Sequence, residues 1–283
     1  MTPSLEQRAF FLPVAGEHCF CVWRAPAASP TRGVVVHVPA FGEEMNKSRR
    51  MTALSARALA GAGFGVLQLD PSGTGDSSGD FESGTFELWI EQITAGTAWA
   101  RRCAAGPLWL WSLRTGSLLI GPILQSMDVS ANVLLWQPVQ SGAQALTHLL
   151  RLKHSADLAE SGRGALDELR KRLRAGSSLE IGGYAVTSAM ASYLESASLE
   201  LPLSQVMRLC WLEVTAMAPP ALSPAARTRT AEILSKGIEV AAEAVPGPSF
   251  WHSAEMEVAP LLVAATTMHL TRSASVAHGP GRH

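Results

Sequence analysis

"PLWLWSLRTGSLLIGPIL", residues 107–124, reads as a strand that turns at once into a helix. Its first half, "PLWLWSL", is almost continuously apolar, which is the pattern of a parallel strand covered on both faces. Ser112 and Gly116 then place small residues two before and two after Arg114, so a tight bend centred on Arg114 is sterically allowed. The whole run barely reaches the length that spans a bilayer, and Arg114 at its centre would cost several kcal/mol, of order 3, in lipid. A buried strand and bend in a water-soluble core is the reading that follows, with no membrane insertion.

Working outward, strand-like runs recur at "HCFCVW" (18–23), "GVVVHVP" (33–39), "FGVLQLD" (64–70) and "ANVLLWQP" (131–138). Amphipathic helices fall between them: Met51, Leu54, Ala58 and Leu59 mark one, and Phe86, Trp89, Ile90 and Ile93 mark another. This alternation predicts an α/β fold with right-handed crossovers, entered by an antiparallel meander before Thr31. After Pro138 the rhythm becomes helical, with "ALDELRKRL" and "VTSAMASYLESASL" separated by the turn signal "IGGY", and no strand stands out. Strands resume at 206–214 and 237–245 with a helix at about 225–235 between them, and a last helix is expected from near Glu255. The expected organisation is a core of 1–138 and 205–272, a helical cap inserted at 139–204, and a disordered polar tail at 273–283.

A chain of 283 residues that is 47% hydrophobic can bury a full core, and its formal net charge of −1 provides no global field for nucleic acid or anionic membrane. The cluster Arg170, Lys171, Arg172 and Arg174 follows Asp167 and Glu168 and reads as the solvated face of a helix. Four cysteines lack the spacing of a zinc or redox site, and Cys19 and Cys21 share one strand face as small buried hydrophobes. No charged start followed by an apolar stretch opens the chain, so a cytoplasmic protein is expected.

In open parallel sheets ligands sit beyond the carboxyl ends of the strands. Those ends carry "AFGEEMNKSRR", "PSGTGDSSGDF" and the Arg114 bend, which should converge on one crevice. "VVVHVPAFGEEMNKSRR" and "LDPSGTGDSSG" resemble the oxyanion strand-loop and the Asp-x-x-Gly-x-Gly turn of α/β-hydrolases. With "WSLRTGSLL" and "VPGPSFW", the set is similar to the type 2 hydrolase-like proteins encoded with exosortase A systems in bacteria that make exopolysaccharide. The resemblance runs from about Phe10 to Thr267 and implies a hydrolase or acyl-transfer role on esters or thioesters. It also implies a Gly-x-Ser-x-Gly elbow with a serine where Arg114 stands.

A guanidinium has no lone pair to donate and cannot replace that nucleophile. Ser112 is the small residue the turn demands, Ser117 is a helix residue one turn on, and Ser72 lies in a loop expected at the crevice. The family's acid would follow "RLCWLEV", where "TAMAPP" has no carboxylate, although Glu213 lies within the strand. The family's histidine would fall near Phe250, with His252 two residues later as the candidate base after a frame slip. All three triad positions therefore depart from the pattern together.

The resemblance still assigns two oxyanion donors, the backbone N–H groups of Thr115 and Phe41. Arg114 at a helix N-terminus is unfavourable by up to about 1 kcal/mol unless paired. Glu43 or Glu44 supplies that partner as a plug; or a small anionic or acyl ligand does; or Glu44 activates water with Arg114 as electrostatic clamp. Trp251, near the crevice, is a candidate stacking surface for a ring or sugar. "GTGDSSG" is one residue too long for a dinucleotide fingerprint and there is no P-loop, so no cofactor or metal is expected, and no protein partner is identified.

Overall fold

The computed structural model describes residues 6–156, 165–253 and 255–276. Strands β1 (Gln7–Val14) and β2 (Glu17–Arg24) form an antiparallel hairpin whose turn, Ala15 and Gly16, has φ of 52° and 81°. Two successive positive φ values match the twist of the flanking strands. Then come β3 (Gly33–Val38), α1 (Glu43–Gly61), β4 (Phe64–Leu69), α2 (Phe86–Cys103), β5 (Leu108–Leu113), α3 (Ser117–Ser126) and β6 (Ala131–Trp136).

From β6 the chain leaves the sheet through α4 (Gly142–Ala156), α5 (Ala165–Arg174), β7 (Leu179–Ile181), β8 (Tyr184–Val186) and α6 (Ser188–Ser196). It returns as β9 (Val206–Thr215), α7 (Pro224–Ser235), β10 (Glu239–Pro246) and α8 (Pro260–Val276). The eight-stranded sheet has the order β1-β2-β4-β3-β5-β6-β9-β10, antiparallel at β1/β2 and β2/β4 and parallel elsewhere. This is the α/β architecture the alternation predicts.

Period-two alternation sorts the strand residues onto two faces. Val34, Val36, Val38, Leu110 and Val133 join Trp89 and Ile93 of α2 in one core, while Val35, Trp109, Trp111, Leu134 and Trp136 join Met51 of α1 and Leu262 of α8 in the other. Every residue of β3, β5 and β6 is buried, which explains their unbroken apolar runs. Two of the buried indoles find polar partners, Trp89 Nε1 donating to Ser72 O at 2.9 Å and Trp136 Nε1 to Thr266 Oγ1 at 2.9 Å, whereas Trp111 Nε1 has none. Burial pushes the Cys19 and Cys21 thiols up to about 11 and about 12, which keeps them protonated and inert, in keeping with two small hydrophobes.

Three expectations are corrected. The segment after Pro138 contains a β-hairpin, β7 to β8, whose Gly182 and Gly183 have φ of 59° and 82°. Strands of three residues are too short to display alternation, so only the turn was visible in sequence. The last helix begins at Pro260 instead of near Glu255, because proline is suited to the first helical turn, where its missing N–H is not needed. That helix also runs on through Ser273 to Val276, into the span expected as a disordered tail; residues 277–283 lie outside the described residues. Among the described residues, no helix is long and apolar enough to cross a membrane.

The bend after β5 is packed against the exit of β3. A Cβ on Gly116 would sit 2.4 Å from Pro39 O and 2.6 Å from Val38 O, both backbone atoms that cannot swing away. Gly116→Ala should therefore lower stability by about 1–3 kcal/mol or more, read as a lower urea midpoint at unchanged slope.

Candidate functional site

The carboxyl ends of β3, β5, β6 and β9 open into a cavity of ≈ 790 Å³ roofed by α4, the β7–β8 hairpin and α6. Its floor carries Phe41, Glu43, Glu44, Arg114, Thr115, Gln137 and Trp251; Leu149, Leu152, Ile181, Tyr184, Met190 and Leu194 contribute apolar walls. The three loops expected at one crevice are only partly united. The loops after β3 and β5 reach the cavity, whereas the loop after β4 sends Phe81 and not Ser72.

Ser72 is 1% exposed and locked away from the cavity. Its backbone N donates to Gln92 Oε1 at 2.9 Å, and its hydroxyl accepts from Gln92 Nε2. The glycines of its turn serve close backbone approach. A Cβ on Gly73 would meet Asp80 O at 2.4 Å, so the turn is structural.

Arg114 is the residue at the bend, and its φ is +50°. A non-glycine residue there is strained by roughly 1–3 kcal/mol, so its surroundings must hold it in place. Its backbone carbonyl accepts from Ser117 Oγ at 2.7 Å and Val139 N at 3.3 Å. Its guanidinium Nε donates to Glu44 Oε1 at 2.9 Å, Nη1 makes a long 3.4 Å contact with Gln137 O, and Cζ lies 5.4 Å from the Trp251 ring centroid. Gln137, the residue after β6, also has positive φ, 43°, and its Oε1 accepts from Val214 N at 2.8 Å. Two strained backbones thus face one another at the strand ends.

Of the two acidic candidates, Glu44 is the partner of Arg114, and Glu43 pairs with Lys47 at 2.9 Å. Side-chain exposures of 18% and 16% place the Arg114–Glu44 pair largely out of water. Glu44 Oε2 is buried with no hydrogen-bond partner. His252 Nε2 stands 3.9 Å from Glu44 Oε1, and its ring centroid is 5.4 Å from that of His148. Burial, with Arg114, His148 and Lys47 adding to it against Glu44, lowers the His252 pKa, so the ring is neutral near pH 7.

Among the described residues, neither serine flanking the elbow is hydrogen-bonded to a histidine. Ser112 is fully buried with its hydroxyl unpartnered, and Ser117 Oγ donates to the carbonyls of Arg114 and Val139. Glu213 accepts from Ser223 N at 2.7 Å, from Ser223 Oγ at 2.9 Å and from Trp211 Nε1 at 3.3 Å, capping the start of α7. Phe250, the position nearest the expected histidine, is 1% exposed and stacks edge-on with Trp251 at 5.0 Å between centroids, as part of the core. The Phe41 N–H, one expected oxyanion donor, is directed to Thr115 Oγ1 at 3.3 Å. Among the described residues, no group of three or more His, Cys, Asp or Glu is placed to hold a metal ion.

Sequence reasoning missed His148, Gln137 and Tyr184. His148 could have been found, since Gln144, Ala145, His148, Leu149 and Leu152 form one face of α4 and all line the cavity. Gln137 and Tyr184 depend on the β6 exit and the short hairpin, which leave no periodic signal.

No family model matches the chain, and no curated protein matches its sequence. Solved structures do match. Est1E from Butyrivibrio proteoclasticus, with ferulic acid bound, aligns at a TM-score of 0.65 and 15% identity over 94% of this chain and 100% of that one. A carboxyl esterase from Bacillus coagulans aligns at 0.61 and 11% identity, over 96% of this chain and 99% of that one. XC6422 from Xanthomonas campestris, an α/β serine hydrolase without a lid, aligns at 0.56 and 13% identity, over 96% of each chain. The chain has the α/β-hydrolase fold; identities this low carry nothing finer.

The Arg114–Glu44 pair can be weighed directly. Arg114→Met should cost about 3 kcal/mol by stranding a buried carboxylate, and adding Glu44→Met should restore most of it. A chemical-denaturation double-mutant cycle checks this, and single-variant losses that merely add would show that the two groups are not coupled.

Proposed function

We propose that this chain is an exosortase-linked protein of the α/β-hydrolase fold whose catalytic triad is dismantled. It holds a small acyl, ester or anionic ligand in the cavity under a cap spanning about 139–204. The observation that carries this reading is the guanidinium at the elbow, fixed 2.9 Å from Glu44 where an attacking oxygen would stand. A cavity of ≈ 790 Å³ is within the range of small-molecule sites, and its apolar walls suit an acyl chain or aromatic ring. The ligand's polar end lies at Arg114, His252 and Thr115, with Trp251 as a stacking face. Ferulic acid, an aromatic carboxylate bound by Est1E, has the right chemistry for such a cavity. The proposed setting is the cytoplasm, where the four free thiols remain reduced.

A second reading, ester or thioester hydrolysis by activated water, is favoured by one observation. Glu44 Oε2 is buried without a partner, and neutral His252 stands beside the same carboxylate. In that scheme Glu44 takes a proton from water as the hydroxide adds to the acyl carbonyl and Arg114 stabilises the oxyanion. The tetrahedral intermediate then collapses with cleavage of the acyl C–O or C–S bond, Glu44 returning the proton to the departing alcohol or thiol.

The two readings separate experimentally. Binding without turnover predicts that ferulate and medium-chain fatty acids raise the unfolding temperature of the wild type and not of Arg114→Ala. It also predicts that aryl esters and thioesters are cleaved no faster than by heat-inactivated protein. Turnover that Glu44→Gln abolishes would replace the binding reading with the hydrolytic one, and equal stabilisation of Arg114→Ala would remove the guanidinium from the ligand site.

A further inference from the structure

A second hollow, of ≈ 190 Å³, lies between α1 and the sheet, away from the cap. Arg24 of β2, His37 of β3, Gln68 of β4 and Ser48, Arg49 and Thr52 of α1 help to line it. Arg24, His37 and Ser48 are 4%, 6% and 1% exposed, yet Arg24 Nε, His37 Nε2 and Ser48 Oγ have no hydrogen-bond partner. Arg24 Nη1 donates to Gln68 Oε1 at 2.5 Å, a neutral amide, and among the described residues no carboxylate is bonded to its guanidinium.

The acid in the hollow, Asp70, is occupied by Arg49 through hydrogen bonds of 3.1 to 3.3 Å. The charge that acts on Arg24 is that of Arg57, which has the same sign. His37 adds no negative charge and carries none of the positive, because burial and then Arg49 depress its pKa to about 3. A buried guanidinium without a counter-charge and three unsatisfied buried polar atoms are each destabilising by kcal/mol amounts, and water alone would leave the charge unanswered.

We propose that this hollow binds a small carboxylate monoanion. The Arg24 Nε–H and Ser48 Oγ–H donate to its oxygens, and His37 Nε2, in the tautomer that carries a proton there, supplies a third donor. A monoanion fits because one buried positive charge is unanswered, whereas Asp70 in the same wall repels a second negative charge. The volume suits a carboxylate of acetate or propionate size. Arg49, whose side chain is 43% exposed, stands with Asp70 at the mouth.

The test is thermal unfolding of the full chain in sodium acetate against sodium chloride at matched ionic strength, with inorganic phosphate as a third arm. The same titrations are run on Arg24→Gln, Ser48→Ala and Arg114→Ala. Acetate should stabilise the wild type saturably, at least tenfold more weakly in Ser48→Ala and not at all in Arg24→Gln, while Arg114→Ala keeps the full response. Ser48→Ala, which removes a single hydroxyl, carries the test if Arg24→Gln fails to fold. Acetate indistinguishable from chloride, or a full response in Ser48→Ala, would leave the hollow to water. A response lost in Arg114→Ala would assign it to the cap cavity, and a stronger response to phosphate than to acetate would refute a carboxylate as the ligand; each result overturns the proposal.

Discussion

The close approach between the bend after β5 and the exit of β3 constrains everything around the cavity. Gly116 lies against two carbonyl oxygens of the β3 exit, leaving no room for a side chain, and the preceding residues must reverse direction within that space. The geometry forces Arg114 into positive φ and aims its side chain at the strand ends. In this fold such a bend normally presents a serine hydroxyl as nucleophile; here it presents a permanent cation. The backbone strain persists because Glu44, Ser117, Val139 and Trp251 hold the residue from several sides at once.

With the cation in place, the neighbouring positions become intelligible as a set. Glu44, the second residue of α1, turns its carboxylate to the guanidinium. Glu213 caps α7 through Ser223. Phe250 is packed in the core, and Thr115 Oγ1 occupies the Phe41 N–H. Under the proposed reading these groups serve structural bonds and packing, so a serine placed at 114 alone would have no histidine–carboxylate relay beside it. What remains is a roofed cavity with paired charges at one end and apolar walls along the rest.

Much of this was legible in the sequence for a specific reason. Strands buried on both faces leave continuous apolar runs, and β3, β4, β5, β6 and β9 were visible for that reason. The bend was legible because a steric rule, small residues flanking the turn, holds whichever residue stands at its centre. Glu44 could not be told from Glu43, since adjacent positions of a helix point about 100° apart and sequence alone does not fix which one faces the bend. Ser72 was misplaced because a glycine-rich loop at a strand end looks the same whether it lines a crevice or folds back on Gln92. The β7–β8 hairpin was invisible because each of its strands is three residues long. The hollow beside Arg24 left no motif at all, since its parts come from β2, β3, β4 and α1 and meet only in the folded chain.

The central claim is that the elbow holds a paired guanidinium and that no serine in the cavity is activated. Intact mass after incubation with an excess of an alkyl fluorophosphonate, which reacts with activated serines, tests it most directly. An unchanged mass is the predicted result. A stoichiometric adduct, mapped by peptide sequencing to a serine at the strand ends, would contradict the account.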